Sequence, residues 1–288
     1  MAKIIDGKAI AEEIKQSVKK QTAELLDRGH PVGLAVILVG EDPASQIYVR
    51  NKEKDCREVG IESYKYLLDQ DTSEEDLLFL IRRLNEDEYT SGILCQLPLP
   101  KGLDERRILE AIDPKKDVDA FHPENVGRIL LGEPRFAPCT PAGIMEMLRH
   151  ENIEVAGKHC VVVGRSNIVG KPMAMLMLHQ DATVTICHSK TQNLAEICRR
   201  ADILVSAVGK AGFITADMVK PDAVVIDVGM NRDANGKLCG DVDFAAVEPI
   251  ASHITPVPGG VGPMTRAVLL LNTLKAAENF AKAREEHE

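Results

Sequence analysis

The chain has 288 residues, 44% of them hydrophobic and 27% charged, with a net charge of -9 at pH 7. A length of this order suggests about two globular domains. The acidic balance, the lack of Trp and an aromatic content of 3% exclude the basic footprint and stacking platforms of a nucleic-acid binder.

The first half alternates helical and strand patterns. Helical spacing of Ile10, Ile14, Val18, Leu25 and Leu26 predicts a helix over 7–27. The run GLAVILVG (33–40) reads as a strand buried on both faces. EDPAS then opens a helix that Gly60, a natural C′ residue, closes. YKYLL (64–68) reads as a second strand. Ser73, with Asp76 three residues on, caps a helix to about Asn85 that carries Leu77, Leu78, Leu80, Ile81 and Leu84. SGILCQL (91–97) is a third strand, followed by a short helix in DERRILEAI. The stretch 127–138, with Gly132, Pro134 and Pro138, reads as a linker, after which Thr140 as N-cap and Pro141 at N1 start a new helix.

The second half repeats the alternation, with strands in HCVVVG (159–164), ATVTICHS (182–189), DILVSAVG (202–209) and AVVIDVG (223–229). Helices are expected in KPMAMLML and around 194–200. A Gly/Pro-rich loop, PVPGGVGPMT (256–265), leads into a final amphipathic helix. The fold class is therefore α/β: two α/β domains with parallel sheets flanking a cleft, the second a Rossmann-like doubly wound sheet, and the cleft the default ligand site.

VVVGRSNIVG puts a strand, a turn with Gly164 and Gly170, and a helix start in the order of a mononucleotide-binding unit, the helix start offering free N–H groups to a pyrophosphate. Ser166 holds the middle-glycine position, so the fingerprint is incomplete, and an ordinary strand–turn–helix accounts for the loop equally well. The end of the next strand, His188 to Thr191, has no acid to accept from a ribose hydroxyl. Ser189, Lys190 and Arg165 suit a 2′-phosphate instead, favouring NADP over NAD, although single surface cations are usually just solvated.

Tyr48, Lys52, Cys56 and Val59 share one helical stripe, which Lys52 interrupts. A desolvated lysine can act as a base or proton relay near neutrality, but spacing alone favours a lysine whose stem packs while its amine reaches water. Position shifts that balance. Tyr48 and Lys52 follow the carboxyl end of the first strand, Gln96 lies at that of the third, and Asp119 returns to the same rim, where open parallel sheets bind ligands. Two prolines in QLPLP stiffen the exit beside Gln96. In PVPGGVGPMT bare backbone can approach a flat ligand closely, and a structural connector is the plain alternative. The histidines form no i, i+4 pair, so no metal site is expected. Seven cysteines without a C-x-x-C pair argue against a disulfide framework and for a reducing cytoplasm. No apolar run approaches the ~20 residues that span a bilayer, so no membrane partner is expected.

The ordered set SQIYVRNK, QLPLP, DVDAFH, GRSNIVGKPM and PVPGGVGPMT resembles the bifunctional methylenetetrahydrofolate dehydrogenase/cyclohydrolase family, from about residue 3 to residue 280. The resemblance implies two reactions on tetrahydrofolate substrates: NADP-dependent oxidation of 5,10-methylenetetrahydrofolate to the 5,10-methenyl cation, then hydrolysis to 10-formyltetrahydrofolate. It implies a catalytic set of Lys52, Tyr48, Gln96 and Asp119, with Lys52 activating water or relaying protons, Gln96 tuning it, Tyr48 lining the folate and Asp119 anchoring the pterin. Cys95 and Leu97 would join these as substrate contacts, and Pro258, Gly259, Gly260, Val261, Gly262, Pro263, Met264 and Thr265 would close over the ligands. Gly164, Arg165, Ser166, Ser189 and Met230 would hold the cofactor. A folate-binding catalytic domain over 1–138 with the C-terminal helix 267–288, an NADP-binding domain over 139–266, and a cytoplasmic homodimer are implied likewise. The oxidation needs no protein acid or base, because the cofactor carries it. The hydrolysis needs one, and Lys52 is the one desolvated titratable group the pattern offers. Two other readings compete: a shikimate- or amino-acid-type dehydrogenase, and an NADP-sensing interaction protein.

Overall fold

The computed structural model describes residues 1–286. The chain opens with β1 (Lys3–Ile4) and α1 (Gly7–Asp27). β2 (Gly33–Val39) is buried at every position, as its unbroken apolar run requires of a strand covered on both faces. In α2 (Pro43–Val59) the Asp42 carboxylate accepts the Ser45 N–H at 2.7 Å, and Gly60 closes the helix in the left-handed region at φ 80°. β3 (Glu62–Leu68) follows, then α3 (Glu74–Glu86), whose N-cap Ser73 accepts the Asp76 N–H at 3.1 Å. β4 (Gly92–Cys95), α4 (Glu105–Glu110) and α5 (Pro123–Leu130) complete this half.

These strands form a parallel sheet in the order β3-β2-β4, with Ile37 opposite Tyr66 on one side and Cys95 on the other. Ala35, Ile37 and Val39 pack with Leu77 and Ile81 of α3 in one apolar cluster. Helix α5 occupies part of the stretch read as a linker, which shrinks to 131–137. Asn125 and Ile129, one turn apart, are both buried, and that anchoring outweighs the helix penalty of about 1 kcal/mol at Gly127.

Helix α6 (Cys139–His150) begins one residue before Thr140, with Pro138 as its N-cap. Thr140 does not cap; its hydroxyl instead lies 2.9 Å from that of Thr265. Then come β5 (His159–Val163), α7 (Gly170–Leu178), β6 (Thr183–Cys187), α8 (Leu194–Cys198), β7 (Ile203–Ser206) and β8 (Val224–Asp227). A short antiparallel ladder of β9 (Asn231–Arg232) and β10 (Leu238–Cys239) precedes α9 (Phe244–Val247), β11 (His253–Ile254) and α10 (Val261–Glu285). The six-stranded sheet runs β1-β11-β8-β7-β5-β6, every pair parallel. The chain moves outward from β5 to β6, then returns to β7 on the other side, so the strand order reverses between β5 and β7. Ligands of doubly wound sheets bind at such a switch point.

The end of the chain differs from its sequence reading in two ways. Val261 to Thr265 already belong to α10, not to a loop. The helix is also not amphipathic: Ala267 to Leu270, Asn272 to Leu274, Ala276 and Ala277 are buried on successive faces, and Lys275 is its first exposed residue. A helix wrapped by protein on all sides has no polar face to show.

The residues cluster into two compact units, one of Met1–Glu12, Ile129–Gly132 and Pro138–Thr265, the other of Glu13–Arg128, Glu133–Ala137 and Arg266 onward. Among the described residues no helix is long and apolar enough to cross a membrane.

None of the seven cysteines is in a disulfide; six are buried and Cys239 is half-buried. Burial pushes the Cys56, Cys95, Cys160 and Cys198 thiols up to about 12. Thiolates are the reactive form, so an aromatic disulfide reagent at pH 8 should modify one thiol per folded chain and all seven after denaturation. Rapid reaction of three or more in the folded protein would contradict this packing.

Candidate active site and cofactor rim

The α2 stripe faces inward, as its spacing predicts. Cys56 and Val59 are fully buried, and Tyr48 and Lys52 are half-buried. Burial raises the Tyr48 phenol above its usual value, and the Arg266 guanidinium pulls it partly back. The Lys52 ammonium donates to Gln96 Oε1 at 3.0 Å. The other end of that amide is spoken for: Gln96 Nε2 donates to the Leu97 carbonyl at 2.8 Å, and the Gln96 N–H to the Ile37 carbonyl at 2.8 Å. With its nitrogen held, the amide can offer Lys52 only its oxygen. Leu97–Pro98 is a cis peptide. Cys95, just before, is buried, and Leu97 is half-buried.

Asp117 forms a parallel bridge with Ile93, bringing 117–119 alongside β4. Asp117 is buried and accepts from the His122 N–H and the Asn125 amide, each at 2.8 Å. Its burial holds the carboxyl above its usual value, against the pull of those donors. Asp119, two residues on, is half-buried, and Ala120 turns the chain away in the left-handed region at φ 58°. The Asp119 carboxylate makes no hydrogen bond or ion pair among the described residues. Lys52 is thus not the one desolvated charge of this unit: Lys116, Asp117 and Asp55 are buried more deeply. Asp55, on the Lys52 face of α2, meets Arg266 at 2.8 Å and Lys15 at 3.4 Å, a cluster that helical spacing does not reveal because two of its members come from other helices.

In the other unit, Gly164 follows β5 at φ 138°, and a Cβ there would stand 2.5 Å from the Ala207 carbonyl oxygen. Its N–H donates to the Cys187 carbonyl, tying the loop to the end of β6. Arg165, Ser166 and Ser189 are exposed at the same edge. The start of α7 differs from expectation. The Val169 and Gly170 N–H groups point at Ser166 Oγ, at 3.1 and 3.3 Å, and that of Lys171 at the Ser166 carbonyl. The serine in the middle-glycine position therefore occupies the helix-start donors that the sequence reading left free. Met230 is 48% exposed, and its sulfur lies 3.7 Å from where a Cβ of Gly262 would be. Pro258 is exposed, Gly260, Val261 and Met264 are buried, and the Gly260 N–H returns to the Pro256 carbonyl at 2.8 Å. Gly259 accepts the Lys8 N–H at 3.0 Å. Val257–Pro258 is also cis.

Residues 5–119 match the tetrahydrofolate dehydrogenase/cyclohydrolase catalytic domain, and residues 138–281 the NAD(P)-binding domain of the same family. The chain belongs to that family. Bifunctional protein FolD of Acetivibrio thermocellus is 58% identical over 98% of this chain and 99% of its own. The crystal structure of the bifunctional FolD dehydrogenase/cyclohydrolase from Campylobacter jejuni superposes with a TM-score of 0.96 at 48% identity, over 97% of this chain and 99% of that one. The Trypanosoma brucei FolD structure, solved with NADP cofactor and inhibitor, gives 0.94 at 40% identity, over 98% of this chain and 99% of that one. Family membership decides against the shikimate-type and sensor readings. The residues present suit a dinucleotide: a glycine that no side chain could replace at the β5–β7 switch point, flanked by an exposed guanidinium and two hydroxyls. Among the described residues no three His, Cys, Asp or Glu side chains gather to hold a metal.

Asp117 went unremarked in the sequence, where it is one acid among several in DPKKDVDAF. Asp117→Ala would strand the His122 N–H and one of the two Asn125 amide N–H groups, the other donating to the Pro114 carbonyl at 2.9 Å, at about 3 kcal/mol. Urea unfolding should show that loss; an unchanged midpoint would contradict the anchoring of the 117–120 turn.

Proposed function

We propose that this chain oxidises 5,10-methylenetetrahydrofolate to the 5,10-methenyl cation and hydrolyses the cation to 10-formyltetrahydrofolate, with NADP as the preferred dinucleotide. The observation that carries the reading is the Lys52–Gln96 hydrogen bond at the carboxyl ends of neighbouring strands, in a member of the dehydrogenase/cyclohydrolase family. Held by the β5–β7 rim, NADP would supply the acceptor for the hydride of the substrate's methylene carbon. The chain's own residues then have two tasks: to hold the flat ring system, and to handle protons in the hydrolysis.

Lys52 is the proton-handling group. Water adding to the methenyl carbon must lose a proton, and ring opening must deliver one to the departing ring nitrogen. An amine held by a neutral amide can do both. Tyr48, one turn away on the same face, lines the folate and limits where the lysine swings. Asp119 has an unengaged carboxylate that suits the amino and ring N–H donors of a pterin. Cys95 and Leu97 flank Gln96 as substrate contacts, and residues 258–265 are the further ligand contacts that family membership implies. The unit of Glu13–Arg128, Glu133–Ala137 and Arg266 onward serves as the folate-binding catalytic domain, and the unit of Met1–Glu12, Ile129–Gly132 and Pro138–Thr265 as the NADP-binding domain, so the first twelve residues, assigned to the catalytic domain from the sequence, go instead with the six-stranded sheet that β1 joins. In the latter Gly164, Arg165, Ser166, Ser189 and Met230 hold the cofactor.

The chain acts as a homodimer in the cytoplasm. What supports the dimer is the outer edge of β6, the last strand of its sheet, with Ile186 37% exposed there and Leu178 49% exposed on the preceding helix. An apolar strand edge is a surface that proteins cover. Seven cysteines without a disulfide suit a reducing compartment.

A coupled assay that follows NADPH and the 10-formyl product together tests the activity. Lys52→Met should lose the hydrolysis by at least a hundredfold while the variant still binds NADP. Wild-type hydrolysis rates in it would remove Lys52 from its role. Arg165→Ala and Ser189→Ala should each raise KM for NADP about tenfold and leave KM for NAD nearly unmoved, because only NADP carries the 2′-phosphate. Equal effects on both cofactors would defeat the assignment.

A further inference from the structure

The loops after β7 and β8 are bolted together by one buried carboxylate that no motif in the sequence marks. Asp241 has no solvent exposure. Its Oδ2 accepts the Val208 N–H at 2.7 Å, the Gly209 N–H at 3.2 Å and the Ser206 hydroxyl at 3.4 Å. Its Oδ1 accepts the Lys210 N–H at 2.9 Å and the Asn231 side-chain amide at 2.8 Å. Four of these donors belong to residues 206–210, at and just past the carboxyl end of β7. The fifth belongs to the residue after Met230.

Asp227, the last residue of β8, holds Asp241 in turn. Its Oδ1 accepts the Asp241 and Gly229 N–H groups, each at 2.8 Å, and its Oδ2 the Val242 N–H at 2.9 Å. The fit leaves no room for a side chain. A Cβ on Gly240 would come 1.8 Å from Asp227 Oδ2, and one on Gly229 would come 2.4 Å from Asp241 Oδ1. Burial, reinforced by the Asp241 charge, pushes the Asp227 carboxyl up to about 6. Placing two acids in one buried pocket is costly, and three backbone donors on one and five donors on the other offset that cost only in this geometry.

The loop that Asp241 grips is also the one that backs Gly164, since Ala207 is the residue a Cβ at 164 would strike. A single carboxylate therefore sets the places of the Gly164 turn, through Ala207, and of Met230, through Asn231. Asp241 itself is too deeply buried to touch a ligand.

We propose that Asp241 is a positioning residue for the dehydrogenase half of the activity, locking the loops after β7 and β8 so that the Gly164 and Met230 backbone stand where the dinucleotide needs them. This rests on the NADP reading above. Asp241→Asn keeps the volume but turns one acceptor into a donor facing donors. In the full-length chain it should weaken NADP binding at least tenfold by calorimetry and raise KM for NADP equally. Hydrolysis of 5,10-methenyltetrahydrofolate, which runs without cofactor, should stay within twofold. Asn231→Ala, which removes one donor of five, should weaken NADP binding three- to fivefold and covers the case in which Asp241→Asn does not fold. Unchanged NADP affinity in either folded variant would overturn the proposal, as would a fall of both activities in parallel with the melting temperature. A wild-type chain that binds NADP but does not turn over folate would sink the functional reading alone, because the calorimetric comparison stands without turnover.

Discussion

The contact on which the candidate chemistry depends is between a lysine and an amide that cannot turn round. Gln96 donates its nitrogen to the Leu97 carbonyl, so the group it presents to Lys52 is an oxygen, a neutral acceptor for an ammonium. The amide fixes the place of the amine through one directed hydrogen bond of 3.0 Å. The contact is in turn a product of sheet register. Lys52 is carried by the helix that follows β2 and Gln96 by the exit of β4. The two strands are neighbours, with Ile37 opposite Cys95, so they stand about 4.8 Å apart. The buried β2 run is therefore what ultimately spaces the amine from the amide.

The same principle organises the six-stranded unit at larger scale. Parallel strands leave their carboxyl ends on one rim, and the reversal of order between β5 and β7 opens that rim to a ligand. Gly164 is needed because the backbone of 207 passes where a side chain would be. The Ser166 hydroxyl takes the first donors of α7, so the helix start is satisfied by the chain itself. Arg165 and Ser189 stand exposed at the same edge, which is what suits them to the charge recognition proposed for NADP. Behind the rim, Asp227 and Asp241 replace an apolar core with a saturated hydrogen-bond network, which specifies loop positions more sharply than packing of small side chains does.

Local signals and long-range ones separate cleanly in this chain. Periodicity and caps placed α1, α2 and α3 within a residue or two, because the Ser73 cap, the Gly60 terminator and the i, i+4 apolar spacing are short-range physics. The reading of 127–138 as linker failed because glycine and proline are local signals, whereas the burial of Asn125 and Ile129 that makes α5 is not. The last helix looked amphipathic because its exposed residues cluster at its end. Its inner part is covered all round by neighbours that the sequence does not name.

The α/β alternation, the glycine turn after β5, the stripe of Tyr48 and Lys52 and, through five motifs in order, the family are legible in the chain alone. Each of these is written within one helix turn or one strand end. The folded loop brings the Ser166 hydroxyl to the Val169 and Gly170 N–H groups, and long-range packing alone turns the Gln96 oxygen to Lys52 and makes Asp117, Asp55 and Asp241 buried anchors among forty-four acids. A carboxylate becomes an anchor when donors from distant segments converge on it, and convergence across tens of residues leaves no periodic trace in the chain.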